Sequence, residues 1–300
     1  MGFSLAHFSD VHLGPLPKGA TFADFSPKRV IGAVSWAFKR KKLHIPEIAA
    51  AVIEDIKNEK PDHVAFTGDL VNIAALAEFQ QGATWLSKIG PPDWLSFIPG
   101  NHDAYVSVPW EKGLGIFENY MASDMRQDER FPFIRLRRNI ALIGVNGAIP
   151  QSITRAGGTV GEAQRQRLAG ALKSLRERGF YRAVMIHHPP APGIAHPLRS
   201  LSDAAELKAI LEQEGAELVI HGHNHTRSLN WLDSPYGSVP IIGVPSASMV
   251  DDGHHESASW NNYEIDRAKG QWQTKVKIRQ WQGKEKSFKT IAEFGLAKPS

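Results

Sequence analysis

In the stretch ELVIHGHNHTRSL, Glu217 to Leu229, three histidines stand within five positions. The apolar run ahead of His221 reads as a strand, so His221, His223 and His225 belong to its end. Residues i and i+2 of an extended segment project to the same side. His223 and His225 therefore share one side of that strand end, and Gly222 lets the chain turn. Asp10 and His12 repeat that spacing after another apolar run. Asp69 follows VAFTG, and its two carboxylate oxygens suit it to bridge two cations. In Gly100-Asn101-His102-Asp103, Asn101 offers a neutral carbonyl oxygen. His102 is placed to act as an acid or electrostatic partner, with Asp103 expected to hold its tautomer. His187 ends VMI, and Pro189 and Pro190 force the chain away from the strand.

Asp10, His12, Asp69, Asn101, His187, His223 and His225 together offer three oxygen and four nitrogen donors. With Asp69 bridging they make two four-ligand shells. Two ions roughly 3.5 to 4 Å apart form the arrangement used for displacement at phosphorus, where a shared water acidified to a pKa of about 7 supplies hydroxide. The expectation is a dinuclear metal site. Mn, Fe or Zn suit such mixed His/carboxylate shells.

Strand and helix signals alternate along the chain. FSLAHFSD, DHVAFTGD, WLSFIPGNHD, RAVMIHHPP and AELVIHGHNH are strands that end in the polar clusters; seven of the thirteen histidines lie there. IPEIAAAVIEDIKNEK, LAEFQQGATWLSKI, GEAQRQRLAGALKSLRERG and SDAAELKAILEQEG read as helices. Asp203 and Glu206 suit the start of the last of these. The predicted fold class is α/β, a single domain over 1–300 with a strand-rich C-terminal part at about 236–290. Ligands in open α/β sheets bind beyond the carboxyl ends of the strands.

Hydrophobic residues make up 42% and charged residues 22%, the composition of a globular protein. Cysteine is absent, which excludes disulfides and thiolate ligands. MGFSLAHFSDVH meets Asp10 before an apolar signal core could form, and no apolar run is long enough to span a bilayer. The expected location is cytoplasmic, with a peripheral place at the inner membrane surface as an alternative. Seven Lys or Arg against Asp24 give the insertion at about 14–45 a net charge of +6, beyond the +4 of the whole chain. Basicity is thus local, and no nucleic-acid partner is expected.

A helix over about 27–42 would group Val30, Ile31, Val34, Ala37 and Phe38 on one side, with Trp36 and the lysines near its edge. Packing on the domain, capping a substrate and touching a lipid or membrane surface all remain open for it. Asp251, Asp252, His254, His255 and Glu256 read as a polar loop at the site rim.

The series DVH, GD, GNHD, HH and GHNH resembles the calcineurin-like metallophosphoesterase family, in particular its bacterial phosphodiesterase branch. That resemblance implies a four-layer α/β/β/α sandwich with two mixed β-sheets. It implies one metal on Asp10, His12, Asp69 and His225 and the other on Asp69, Asn101, His187 and His223. It also gives His102, supported by Asp103, the role of stabilising the transition state or protonating the leaving oxygen; His188 and His221 fall to the rim or behind the ligands. The substrate expected is a small-molecule phosphoester, first a cyclic nucleotide or glycerophosphodiester. Alternatives are a pyrophosphatase of the UDP-2,3-diacylglucosamine type and a metal-free binding scaffold.

Overall fold

A computed structural model describes residues 2–17, 26–125 and 128–298; residues 18–25 of the basic insertion lie outside the described residues. The elements in chain order are β1 (Phe3–Phe8), α1 (Pro27–Phe38), α2 (Pro46–Glu59), β2 (His63–Phe66), α3 (Leu76–Ile89) and β3 (Leu95–Phe97). Then come β4 (Phe133–Arg137), β5 (Ile140–Val145), α4 (Glu162–Glu177), β6 (Tyr181–Ile186), α5 (Ala204–Glu214) and β7 (Leu218–His221). The chain closes with β8 (Ser228–Ser234), β9 (Gly237–Gly243), β10 (Ser259–Ala268), β11 (Gln271–Gln282) and β12 (Ser287–Gly295).

Two mixed six-stranded sheets result, ordered β12-β11-β10-β1-β2-β3 and β4-β5-β6-β7-β9-β8. In the first, β1, β2 and β3 are parallel; in the second, β5, β6, β7 and β9 are parallel. Strands covered on both faces need apolar residues at every position. The wholly buried β5 (IALIGV) shows that pattern. Helices cover the outer faces. On α2 the buried positions Ile48, Ala49, Val52, Ile53 and Ile56 follow the helical period. On α4, Leu168, Leu172 and Leu175 do the same.

The cores are continuous across the parallel strands. Phe8 stacks on Phe66 with ring centroids 4.5 Å apart, Phe97 packs tilted against Phe66 at 5.0 Å, and Trp85 of α3 meets Phe8 and Phe66 edge-on. Each buried phenylalanine contributes about 1.5 to 3 kcal/mol. The sheets meet at Tyr181, whose hydroxyl lies 2.8 Å from Thr274 Oγ1 on β11. Because the strands of each parallel set point one way, their carboxyl ends share an edge, and the site forms there.

Three sequence expectations change. The helix beginning at Pro27 stops at Phe38, and Arg40–Lys42 form a separate 3-10 turn. The C-terminal strands run from Ser228 to Gly295, beyond 236–290 at both ends, because SLNWLDS pairs antiparallel with β9 despite its polar outer face. Asp203 stands at the start of α5, but its carboxylate turns away to accept the backbone N–H groups of Val160 and Gly161 and to pair with Arg165.

Candidate metal centre

The turns after β1, β2, β3, β6 and β7 bring seven polar side chains together in two groups. Around His12 Nε2 lie His225 Nε2 at 3.2 Å and Asp69 Oδ2 at 3.7 Å, with Asp10 Oδ1 3.1 Å from His225 Nε2. Ligand atoms of these four residues all lie within 4.8 Å of one another. In the second group, Asn101 Oδ1 is 2.9 Å from His223 Nδ1 and 3.2 Å from His187 Nε2, and His187 Nε2 is 3.4 Å from Asp69 Oδ2. Asp69 joins both groups through one atom. Its Oδ1 accepts the backbone N–H of His102 at 2.7 Å, leaving Oδ2 facing both ways.

Backbone geometry at this edge is unusual. Asp10, His12, Asp69, His223 and His225 all have positive φ, between 46° and 68°, the left-handed region that side chains with a Cβ avoid. Such residues cost about 1 to 3 kcal/mol each and persist where the surroundings over-determine them. Here the turns lock one another: Asp10 N–H donates to Gly68 O, His12 N–H to Asp69 O and His223 N–H to Asp10 Oδ2. Gly222 is required by close approach, since a Cβ there would fall on Ser9 and Asp10. Gly68, at φ 97°, lies so near Gly100 that a Cβ would come 2.6 Å from its backbone nitrogen.

Donor chemistry at the site fits cations. His187 Nδ1 lies 2.6 Å from Thr67 O, which fixes the tautomer and keeps the Nε2 lone pair on the site. Burial, then His44, holds His12 well below the usual imidazole range; burial, then His188, does the same to His223. Both are neutral rings with lone pairs to give. Burial alone would raise Asp69, but His187 and His102 keep it well below the carboxylate range. Burial opposes charge on His187, yet the Asp69 carboxylate outweighs it and pushes that ring to about 9, so a cation binding at Nε2 would displace a proton there. Two carboxylates, four imidazoles and an amide oxygen, almost in contact and all buried except the part-exposed His225, form a mixed N/O set that divalent cations satisfy.

The family model for calcineurin-like phosphoesterases matches residues 3–227. The chain belongs to this family. A probable cyclic nucleotide phosphodiesterase of Synechococcus sp. is 24% identical over 279 residues, 92% of each chain. A dimetal phosphatase from Danio rerio superimposes with a TM-score of 0.66 over 98% of both chains at 12% identity. Purple acid phosphatase PPD1 from yellow lupin gives 0.57 at 11% identity, over 99% of this chain and 54% of the lupin one. These two structures share the fold, including its two mixed sheets.

In this calcineurin-like phosphoesterase Asp103 has a different place from the one the sequence suggests. Its carboxylate does not hold the His102 ring. Oδ2 accepts the N–H groups of Asp69 and Gly100, both at 2.8 Å, and Oδ1 those of Leu70 and Val71 at 3.0 and 2.9 Å. Asp103 thus ties the turn after β2 to the turn after β3. The tautomer of His102 is set by Asn72 O, 2.6 Å from Nδ1, so its Nε2 is the acceptor. His188 and His221 are fully buried rather than at a rim: His188 Nε2 lies 3.2 Å from Ala156 O, and His221 Nδ1 lies 3.0 Å from Gly222 O.

Two residues of the basic insertion reach the site without having been singled out in the sequence. Arg40 Nη1 lies 3.2 Å from both Nδ1 and Nε2 of His102, against the ring, and its Nη2 3.4 Å from Asn72 O, so the guanidinium meets a ring and a carbonyl rather than a carboxylate. His44 packs 4.4 Å, centroid to centroid, from His12; Ser248 Oγ holds its Nδ1 at 2.8 Å. His12, His44 and His225 form a further potential ligand group. The KRKK run that contains Arg40 signals charge, but nothing in its spacing signals that one member turns inward.

A cleft of 330 Å³ opens over the donors, with Lys39, Arg40, His102, Arg199 and His255 on its walls. His255 comes from the 251–256 loop, where it pairs with Asp252 at 3.0 Å. A second cleft of 590 Å³ adjoins it, sharing Asn101, His102, Ala156 and Arg199 and walled by Tyr105, Ile149, Ile153 and Leu198.

Proposed function

We propose that this phosphoesterase hydrolyses a small phosphodiester of the cyclic nucleotide or glycerophosphodiester type. Asp10, His12, Asp69 and His225 would hold one metal ion, and Asp69, Asn101, His187 and His223 the other. The observation that carries the reading is Asp69 Oδ2, which faces His12 Nε2 and His187 Nε2 at once and so joins two donor groups into one centre. When bound, two such ions supply Lewis-acid charge for phosphoryl oxygens and a water acidified to a pKa of about 7. Mn, Fe and Zn all suit the donors.

The chain's own residues add orientation and fixed charge. Thr67 O keeps His187 in the tautomer with Nε2 free. His102, its Nδ1–H given to Asn72 O, lies against the Arg40 guanidinium on the cleft wall. Arg40 then meets the charge that develops on phosphoryl oxygens, as a planar fork suited to them. Diester preference draws support from the Synechococcus relative, and from two adjoining clefts that leave room for a substituent on each side of the phosphorus. Lys39, Arg40 and Arg199 along one cleft also suit a nucleotide-linked lipid pyrophosphate, the second reading.

Hydrolysis of bis-p-nitrophenyl phosphate beside p-nitrophenyl phosphate, with Mn²⁺, tests the first reading. Diester cleavage that exceeds monoester cleavage and disappears in Asp69→Ala is expected; monoester cleavage alone would refute the diesterase.

A further inference from the structure

On α1 the apolar face points away from the protein. Val30, Ile31, Val34 and Phe38, at i, i+1, i+4 and i+8, form one ridge and are 37%, 49%, 52% and 78% exposed. The face turned inward carries the small or polar residues. Arg29 is buried and donates to the carbonyls of Ile73 and Ala74, and Gly32 packs so close that a Cβ would meet Ile73 and Tyr105. Trp36 is half-buried near Gly14. The first turn is anchored by Lys28, which donates to Gln151 O at 2.9 Å. Among the described residues, these four do not pack into the domain, the first of the three options open from sequence.

Charge accompanies the ridge. Lys39, Lys41 and Lys42, directly after Phe38, are exposed. Across the cleft mouth stand exposed Ile153 and Leu198, both on the wall that also carries Arg155 and Arg199. Carboxylates near the rim belong to the 251–256 loop, where Asp252 pairs with His255 and Glu256 with Arg227. Apolar side chains followed by lysines that form no ion pair among the described residues match a bilayer surface, where the apolar groups enter the headgroup boundary and the lysines meet anionic lipid. A second protein surface would need a separate acidic groove; a bilayer supplies both complements in one plane.

We propose that α1 and the lysines after it dock this protein on an anionic membrane surface, with the mouth of the metal cleft beside the lipid. The inference is independent of the phosphodiesterase reading, because docking requires no catalysis. It is tested by flotation of the full chain with vesicles of phosphatidylcholine alone and with 30% phosphatidylserine added. Expected are binding to the anionic vesicles, weakening as salt is raised, and a loss of at least ten-fold in the Ile31→Ser/Val34→Ser/Phe38→Ser variant. Lys41→Glu/Lys42→Glu should lose binding similarly. Both variants should keep the wild-type circular dichroism and cleavage of the soluble chromogenic esters. Absence of binding by the wild type, binding that survives both variants, or a concentration-dependent dimer dispersed by the apolar variant without any vesicle binding would each overturn the proposal.

Discussion

Replacing Asp103 by Asn changes almost nothing in shape and should be costly in stability. Each carboxylate oxygen accepts two buried backbone N–H groups: Asp69 and Gly100 on one, Leu70 and Val71 on the other. An amide must turn its NH₂ toward one of these pairs. Two hydrogen bonds are lost, and two buried donors face a third. At about 1 to 3 kcal/mol per unsatisfied group the loss is about 2 to 6 kcal/mol, a large part of the 5 to 15 kcal/mol typical of a whole domain. Unfolding entropy of about 2.1 cal/mol/K per residue gives about 0.6 kcal/mol/K over this chain, so Tm should fall by about 3 to 10 °C. Differential scanning calorimetry of wild type and Asp103→Asn measures this, and metal content at 25 °C should fall as the two turns loosen. If Asp103 served His102 instead, the variant would melt normally and show an altered pH–rate profile. That result would refute the reasoning.

Two further outcomes follow from charges outside that pair. Arg40→Ala removes hydrogen bonds from a charged group, so kcat/KM should fall about 10- to 150-fold with metal content unchanged; Arg40→Lys should recover part of it, and steady-state kinetics that show no loss would remove Arg40 from the mechanism. Burial alone would raise Asp203, but the N–H groups of Val160 and Gly161 and the guanidinium of Arg165 outweigh it and hold it below the usual carboxylate range. Because its native value is depressed, its stabilisation is present above the unfolded value of about 3.9 and fades as pH falls toward the native one. Thermal melts should therefore separate wild type from Asp203→Asn at pH 7 and draw together as the pH is taken below the unfolded value; a constant gap throughout would contradict the assignment.

The donors were legible because their chemistry is local. The residue types at the strand ends named the donors, but the extended i, i+2 spacing did not place them: Asp10, His12, His223 and His225 lie past the strands with positive φ, and His223 and His225 enter different donor groups. The helix α3 was readable at both ends. What the sequence left open depends on direction. Asp103 follows His102 in the chain, but whether a carboxylate in a tight turn faces the neighbouring ring or the neighbouring backbone depends on the partner loop, and the N–H groups of 69–71 arrive from the turn after β2. The ridge on α1 was visible as a period, yet a period cannot say which way a helix is turned. Here Gly32 and Arg29 take the inward side, one by its small size and one by its hydrogen bonds to 73 and 74. Arg40 and His44 reach the site from the insertion for the same reason: the length of chain between motifs does not say where that chain returns.

The central claim is that two donor groups share Asp69. Metal content of the purified, metal-loaded chain, measured by inductively coupled plasma mass spectrometry, tests it directly. The account predicts two ions per wild-type chain, one in His225→Ala and none retained tightly in Asp69→Ala. One ion in the wild type, or Asp69→Ala and His225→Ala losing the same single ion, would contradict it.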